Sequence, residues 1–137
     1  MMQLIVGAGV FAACVAVHAA FMLFSVRVIG PKLQKSGTSL DLVTTMVMTV
    51  GALAIAHFIE ICIWALAMTL VGAVRPEDGP LYFAFTSYTT LGYGDVVAEV
   101  DWRLLGPASA MNGILLFGWS TAVIFQALQN ALRARNA

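Results

Sequence analysis

The chain has 137 residues, of which 61% are hydrophobic and 10% charged, and seven basic residues balance seven acidic ones. This excludes an ordinary soluble domain, which carries about 25% charged residues, and the zero net charge gives no footprint for nucleic acid. Cys14 and Cys62 lie inside apolar runs, with no CxxC and no extracellular framework, so both read as inert packed thiols.

Residues 3–29 form the first apolar run, interrupted by His18, Ser25 and Arg27. At ~1.5 Å per residue it crosses a hydrocarbon core of ~30 Å, which predicts a transmembrane helix within residues 1–30. A cleaved signal peptide is the rival reading, because Val17-His18-Ala19-Ala20 supplies small residues. Against it, no basic residue precedes the run, and the apolar pattern continues past Phe24. Ala8, Ala12, Ala16 and Ala20 recur at helical spacing, a stripe that would let another helix approach closely.

Gly30-Pro31 ends that span, and residues 32–41 are a polar connection. The run over 42–74 predicts a second helix, longer than a perpendicular crossing needs, which tilts or begins in the interface. Arg75-Pro76-Glu77-Asp78-Gly79-Pro80 turns out of the membrane, with Asp78 expected to cap the next helix and Pro80 in its first turn. That helix ends near Thr89 and is too short to span. Val96 to Trp102 is a second polar stretch, residues 104–130 are the last span, and Arg133 and Arg135 follow. The expected fold class is therefore all-α: three transmembrane helices plus a re-entrant helix and loop over 80–95.

The loop is Thr89-Thr90-Leu91-Gly92-Tyr93-Gly94-Asp95. Its glycines recur with period two, which suits neither helix nor strand. If the carbonyls from Thr90 to Tyr93 are to point one way, alternate residues must take opposite-handed φ/ψ, and glycine reaches φ > 0 without steric cost. Such a row, closed by the Thr90 hydroxyl, is a ladder of oxygen ligands for a dehydrated cation.

TTLGYGD resembles the signature filter of the potassium-channel superfamily, usually TTVGYGD. Tyr82-Phe83-Ala84-Phe85 followed by Ser87-Tyr88-Thr89-Thr90 resembles that family's pore helix. Gly113 and Ile114-Leu115-Leu116-Phe117-Gly118-Trp119-Ser120 resemble the inner helix of its small bacterial members. The resemblance implies a pore domain over 42–130, made of an outer helix (42–74), pore helix and filter (80–95) and inner helix (104–130), with residues 1–30 as an added helix. It also implies a homotetramer, because one loop supplies a quarter of a ring. Potassium ions, the permeant ligand, would sit at Thr90, Leu91, Gly92 and Tyr93, with Gly94 completing the loop and no other cofactor needed.

Further roles follow from the same resemblance. Thr89, Tyr82 and Asp95 would support the filter, Asp95 at its mouth and bonded to Tyr82. Tyr93 would turn away from the axis into an aromatic cuff with Tyr82, Phe83 and Phe85. Gly113 is the expected gating hinge, and Ile114, Phe117 and Thr121, at i, i+3 and i+7, would line the cavity. Phe125 or Gln129 would lie nearest the cytoplasmic constriction. The sequence departs from the common pattern at Leu91 (usually valine or isoleucine), Tyr82 (often tryptophan) and Thr86 (glutamate in some members).

Charge supplies an orientation. Arg27, Lys32, Lys35, Arg133 and Arg135 sit beside the first connection and the C-terminus, whereas Glu77, Asp78, Asp95, Glu99 and Asp101 surround the filter. The positive-inside rule puts the N-terminus and filter outside and the C-terminus in the cytoplasm, in a plasma (inner) membrane. One arginine in the first span is no voltage sensor, and the short stretch after residue 130 leaves gating to the pore, lipid, pH or a separate regulatory subunit.

His57 and Glu60, at i, i+3 within the second span, share a side with Trp64. A structural pair is the favoured reading and a proton sensor the next. A metal site of His18, His57 and Glu60 is disfavoured, since HxxE lacks the second histidine of HExxH. A carboxylate at the bilayer centre costs at least ~2.5 kcal/mol on insertion scales. Glu60 is thus expected to face the protein interior, towards His57 or a pore-helix hydroxyl. No enzyme chemistry is indicated. The function expected is potassium conduction; the alternatives are a weakly selective cation channel and a non-conducting assembly or regulatory subunit.

Overall fold

The computed structural model describes residues 1–25, 27 and 39–136, without the side chains of residues 39, 131 and 134–136. These residues form four helices and no strand: α1 (Met2–Phe24), α2 (Ser39–Leu70), α3 (Pro80–Tyr88) and α4 (Leu105–Asn136). Short 3-10 turns at Pro76–Asp78 and Val100–Trp102 flank α3 and its loop. Three helical stretches, Met2–Phe24, Leu40–Leu70 and Val100–Asn130, are long and apolar enough to cross a membrane. With nine residues, α3 is about 13 Å long, far short of a ~30 Å core. Lys32, Lys35 and Gly30-Pro31 lie outside the described residues, as does the side chain of Arg135; Arg27 and Arg133 are exposed.

Local chemistry sets the helix ends. After Leu70 the chain closes with a Schellman motif, in which Gly72 (φ 70°) donates to the Thr69 carbonyl at 3.1 Å and Ala73 to that of Met68 at 2.8 Å. Met68 and Ala73 are both fully buried, which supplies the apolar contact that accompanies this motif. Helix α3 begins with Pro80 in its first turn, as its fixed φ favours, but Asp78 does not cap it. The cap position belongs to Gly79, and the 3-10 turn directs Asp78 back to Arg75 Nε at 2.9 Å.

Helices α1 and α4 run parallel. Gln3 near the start of α1 accepts the Leu104 N–H at 3.2 Å, and far along the same pair His18 Nε2 lies 3.2 Å from Ser120 Oγ. The start of α1 and the start of α4 therefore share one end of the bundle. The inward face of α1 is Gly7, Cys14, His18 and Met22. Ala8, Ala12, Ala16 and Ala20 are exposed on the opposite face, so the expected small-residue stripe is not the contact between helices of this chain. The polar His18 lies on the inward stripe, and burying it fixes the helix rotation.

In lipid, apolar burial brings little net gain, since the solvent is itself apolar; packing and interhelical hydrogen bonds hold such bundles together. Here Trp64, Met68, Leu105 and Leu116 fill the core, and Trp64 Nε1 donates to Asn112 Oδ1 at 2.9 Å. Outward faces carry exposed Leu4, Ile5, Ile55, Phe58 and Leu66, which suit contact with acyl chains.

Candidate functional site

Helix α3 is wedged between α2 and α4 by alternate faces of its short length. Phe83, Ala84, Ser87 and Tyr88 are buried, whereas Tyr82 and Phe85 are exposed. Phe83 therefore leaves the expected aromatic cuff: it turns to α4, where its ring lies 3.2 Å from the point a Cβ on Gly106 would occupy. At 3.6 residues per turn, Tyr82 and Phe85 share a face that Phe83 cannot join.

Helix α4 meets the end of α3 at Gly113. A Cβ there would fall 2.0 Å from the Tyr88 carbonyl oxygen, a backbone atom with no freedom to withdraw. Helix α4 continues unbroken through this point, so Gly113, expected as a hinge, has a close-packing role in this structure. The approach pins the end of α3, and with it the start of the loop.

From there the backbone alternates. Thr90 (φ 62°), Gly92 (φ 51°) and Gly94 (φ 79°) have positive φ, and Leu91 and Tyr93 between them do not. Among the described residues Thr90 is the one non-glycine in this region. A β-branched residue there is strained, by roughly 1–3 kcal/mol, and persists only where neighbours over-determine it. Two bonds do so: Thr90 N–H to the Ser87 carbonyl at 2.9 Å and Gly92 N–H to the Thr86 carbonyl at 3.1 Å. Thr89 Oγ1 donates to the Phe85 carbonyl at 2.7 Å, closing the last turn of α3.

The loop's far end is clasped by Tyr82, whose hydroxyl donates to Asp95 Oδ2 at 2.7 Å. That bond holds the Asp95 carboxyl below the ordinary carboxylate value and pushes the Tyr82 phenol up. Beyond it, Glu99 N–H donates to the Ala73 carbonyl at 2.9 Å, tying the descending chain to the end of α2. Within the single chain Leu91, Gly92, Tyr93 and Gly94 are all exposed. A cleft of about 510 Å³ opens beside Thr90, Gly92 and Gly94, lined also by Phe83, Ser87, Arg103 and Pro107.

On α4, Ile114 and Thr121 are exposed, whereas Leu116 is buried. Phe117 is divided: its ring packs on His57 (centroids 4.5 Å) and edge-on to Tyr88 (5.5 Å), with 38% of the residue open. Phe125 is exposed and Gln129 half-buried.

Behind the end of α3 all four helices contribute to one polar cluster. Glu60, fully buried, lies 2.9 Å from His18 Nδ1 through Oε1 and 3.1 Å from His57 Nδ1 through Oε2. The Tyr88 hydroxyl donates to the same Oε2. Ser120 Oγ lies 2.9 Å from His57 Nε2 and 3.2 Å from His18 Nε2. The His18, His57 and Glu60 ligand atoms fall within 4.8 Å of one another, a donor set a divalent metal also takes, and here they are bonded to each other. Sequence reasoning brought His57 to Glu60 and pointed to a pore-helix hydroxyl. It grouped His18 with them only as a disfavoured metal site and did not bring in Ser120; these two carry no local pattern and reach the cluster from 42 and 63 positions away.

A family model for ion channels (Ion_trans_2) matches residues 61–130, just over half of the 137. No curated protein and no solved structure matches the chain. The match runs from the last third of α2 through α3 and its loop to α4, and leaves out α1 and the residues His18, His57 and Glu60. With three helices fit to span a bilayer, this is a membrane protein, and the chain belongs to the ion-channel family, of the potassium-channel type.

Proposed function

We propose that the protein is a potassium-selective channel in which four copies of the chain bring their loops together around one axis. The observation that carries this reading is the sign of φ along Thr90-Leu91-Gly92-Tyr93-Gly94, positive at every second residue. Alternating handedness turns successive peptide planes so that their carbonyls share a face, the arrangement that replaces a hydration shell. Potassium ions are the transported substrate, held by carbonyls of Thr90, Leu91, Gly92 and Tyr93 and by the Thr90 hydroxyl. Non-helical backbone at membrane depth is tolerated where it is buried in protein or lines water. A loop so exposed in one chain meets that condition once neighbours surround it.

The remaining parts take roles consistent with this. The C-terminal end of α3 brings its partial negative charge below the filter, where an entering cation benefits. Asp95, ionised at the loop's far end, attracts cations to the mouth. Ile114, Phe117 and Thr121 line the inner cavity, and the cleft beside the filter receives the neighbouring subunit. The excess of basic residues near the first connection and the C-terminus supports an orientation with both in the cytoplasm and the filter on the outer side of an inner membrane.

Flux from purified protein in liposomes tests the proposal. A K⁺ gradient should drive charge movement that an equal Na⁺ gradient does not. Equal responses to both would give the weakly selective pore, and no response to either would give the non-conducting subunit. Cysteines at Ile114, Phe117 and Thr121, in a background lacking Cys14 and Cys62, should react with internal thiol reagents. Reaction at Leu115 or Leu116 instead would rotate the inner helix; Leu116 is buried and Leu115 exposed in the single chain.

A further inference from the structure

The cluster behind α3 can be read by counting hydrogens. Five contacts close it: His18–Glu60, His57–Glu60, Tyr88–Glu60, His57–Ser120 and His18–Ser120. His57 Nδ1 also lies 3.0 Å from Tyr88 Oη, so its one N–H is shared between that oxygen and the carboxylate. With Glu60 ionised and both imidazoles neutral, the cluster has four hydrogens, one each on His18, His57, Tyr88 and Ser120. Four hydrogens cannot fill five contacts. The defect falls on Ser120, whose single hydrogen faces two Nε2 atoms; if both rings donate through Nδ1 to Glu60, one of those contacts sets lone pair against lone pair.

A fifth proton repairs this. One imidazole then donates through Nε2 to Ser120 Oγ, Ser120 donates to the other, and every contact holds one hydrogen. The charges, −1 on Glu60 and +1 shared by the imidazoles, sum to zero. Placing the fifth proton on Glu60 and relaying the others round the ring gives the same count and the same zero. A sixth would set the Ser120 hydrogen against an N–H. Burial favours the neutral sum, because a net charge in this interior is costly. His18 and Glu60 are fully buried, Tyr88 likewise, and the His57 side chain is 12% exposed.

We propose that His18, His57, Glu60, Tyr88 and Ser120 form a binding site for one shared proton that locks α1 to the end of α3, and that the lock loosens when that proton leaves. The groups facing it are known from every element. From α1 come His18 and Cys14, whose Sγ lies 3.8 Å from the Glu60 carbonyl oxygen; from α2, His57 and Glu60; from α3, Tyr88. Helix α4 brings no titratable group, only Ser120 and the rings of Phe117 on His57 and Trp119 on His18. As pH rises and the proton leaves, the cluster takes a charge of −1 and loses one Ser120 contact. His18 is the member of α1 that bonds to both α2 and α4, so α1 is the helix released. The effect on conduction rests on the channel reading; the proton count does not.

The chain has two histidines, so selective ¹⁵N-histidine labelling in liposomes observes these two rings alone. At mildly acid pH, N–H groups on the rings plus any O–H on Glu60 should total three; the carboxyl is assigned by infrared difference against Glu60→Gln. On raising the pH one hydrogen should be lost in a single step seen by both rings, and Ser120→Ala, which takes away the two contacts that the extra proton fills, should move that step to lower pH. At the same pH, hydrogen exchange of α1 should rise several-fold relative to that of α2. A total of two or of four at acid pH would overturn the shared proton. Retention of all three hydrogens to the alkaline limit, or an unchanged α1-to-α2 exchange ratio, would overturn the lock. Absent K⁺ flux with the count and exchange as expected would break the channel reading and leave this one standing.

Discussion

Residues 91–94 expose themselves to the surroundings, while His18, Glu60 and Tyr88, a few residues away in space, expose nothing. The loop is built from backbone: its chemistry lies in carbonyls, and its side chains matter for the φ they permit. The cluster is built from side chains, five of them from four helices, with every contact closed inside one chain. Tyr88 joins the two, since its carbonyl abuts Gly113, its hydroxyl reaches Glu60, and the loop starts at the next residue. In the single chain the loop is therefore left open, and the closed cluster anchors it from behind. Damage to the first should remove conduction at little cost in stability, and damage to the second should do the reverse.

The largest effect is expected at Gly92. Its φ of 51° is one an L-residue enters at a cost of about 1–2 kcal/mol. No atom lies within 4 Å of the Cβ position in the chain itself, so the effect is on conformation and leaves packing alone. Gly92→Ala should abolish selective K⁺ flux while thermal unfolding in detergent stays near that of the parent. A mutant that still prefers K⁺ to Na⁺ as the parent does would end the filter assignment.

Glu60→Leu comes next and should show the opposite pattern. It leaves two imidazoles and a phenol without their acceptor; removing one partner of a buried pair costs about 3–5 kcal/mol. Oligomer stability on gels and in thermal melts should fall sharply. Glu60→Gln keeps an acceptor and should be milder. Unchanged stability in Glu60→Leu would mean that the cluster does not anchor the loop.

Gly113→Ala is expected to cost about 1–3 kcal/mol or somewhat more, as overpacking against backbone does. Its control lies on the same helix. Gly118 has nothing within 4 Å of its Cβ position, so Gly118→Ala should change stability little. Equal effects at both positions would favour helix flexibility over close packing as the reason for the glycine at 113.

How much of this was legible in the sequence follows the same divide. The spans announced themselves as apolar runs, and α3 by its length between two turns. The loop was legible because a backbone requirement leaves a local trace, glycine at every second position. Helix ends were less so: α2 runs Ser39–Leu70 where the apolar run reached 74, because Gly72 terminates it through hydrogen bonds that hydropathy does not register. The cluster was legible in part. Glu60 had to find donors, and His57 lies one turn away. His18 and Ser120 arrive from other helices, and only the tertiary fold selects them. Phe83 was misplaced because composition says aromatic, while helical phase decides which way the ring faces.

The smallest effect is expected at the clasp between Tyr82 and Asp95, which lies between the two regions in character: a side-chain bond, yet exposed and at the loop's outer end. Tyr82→Phe removes the donor, keeps the ring, and should leave both oligomer stability and K⁺ preference unchanged. What it should alter is how long the loop keeps its conducting shape, seen as a few-fold faster decay of current during sustained opening. The sign of the pH dependence follows from the bond. Asp95 is held below its ordinary value by the Tyr82 hydroxyl, so the clasp is fully present above the ordinary carboxylate range and is lost only as pH falls through the lowered one. Raised above its usual value, the Tyr82 phenol stays protonated through neutral pH and keeps donating. Current decay in the parent should therefore be flat from neutral pH down to the usual carboxylate range and quicken below it, towards the rate of Tyr82→Phe. In Tyr82→Phe that acid-dependent quickening should be absent. Decay in the parent that stays flat in acid, or that quickens equally in Tyr82→Phe, would remove the clasp as its cause.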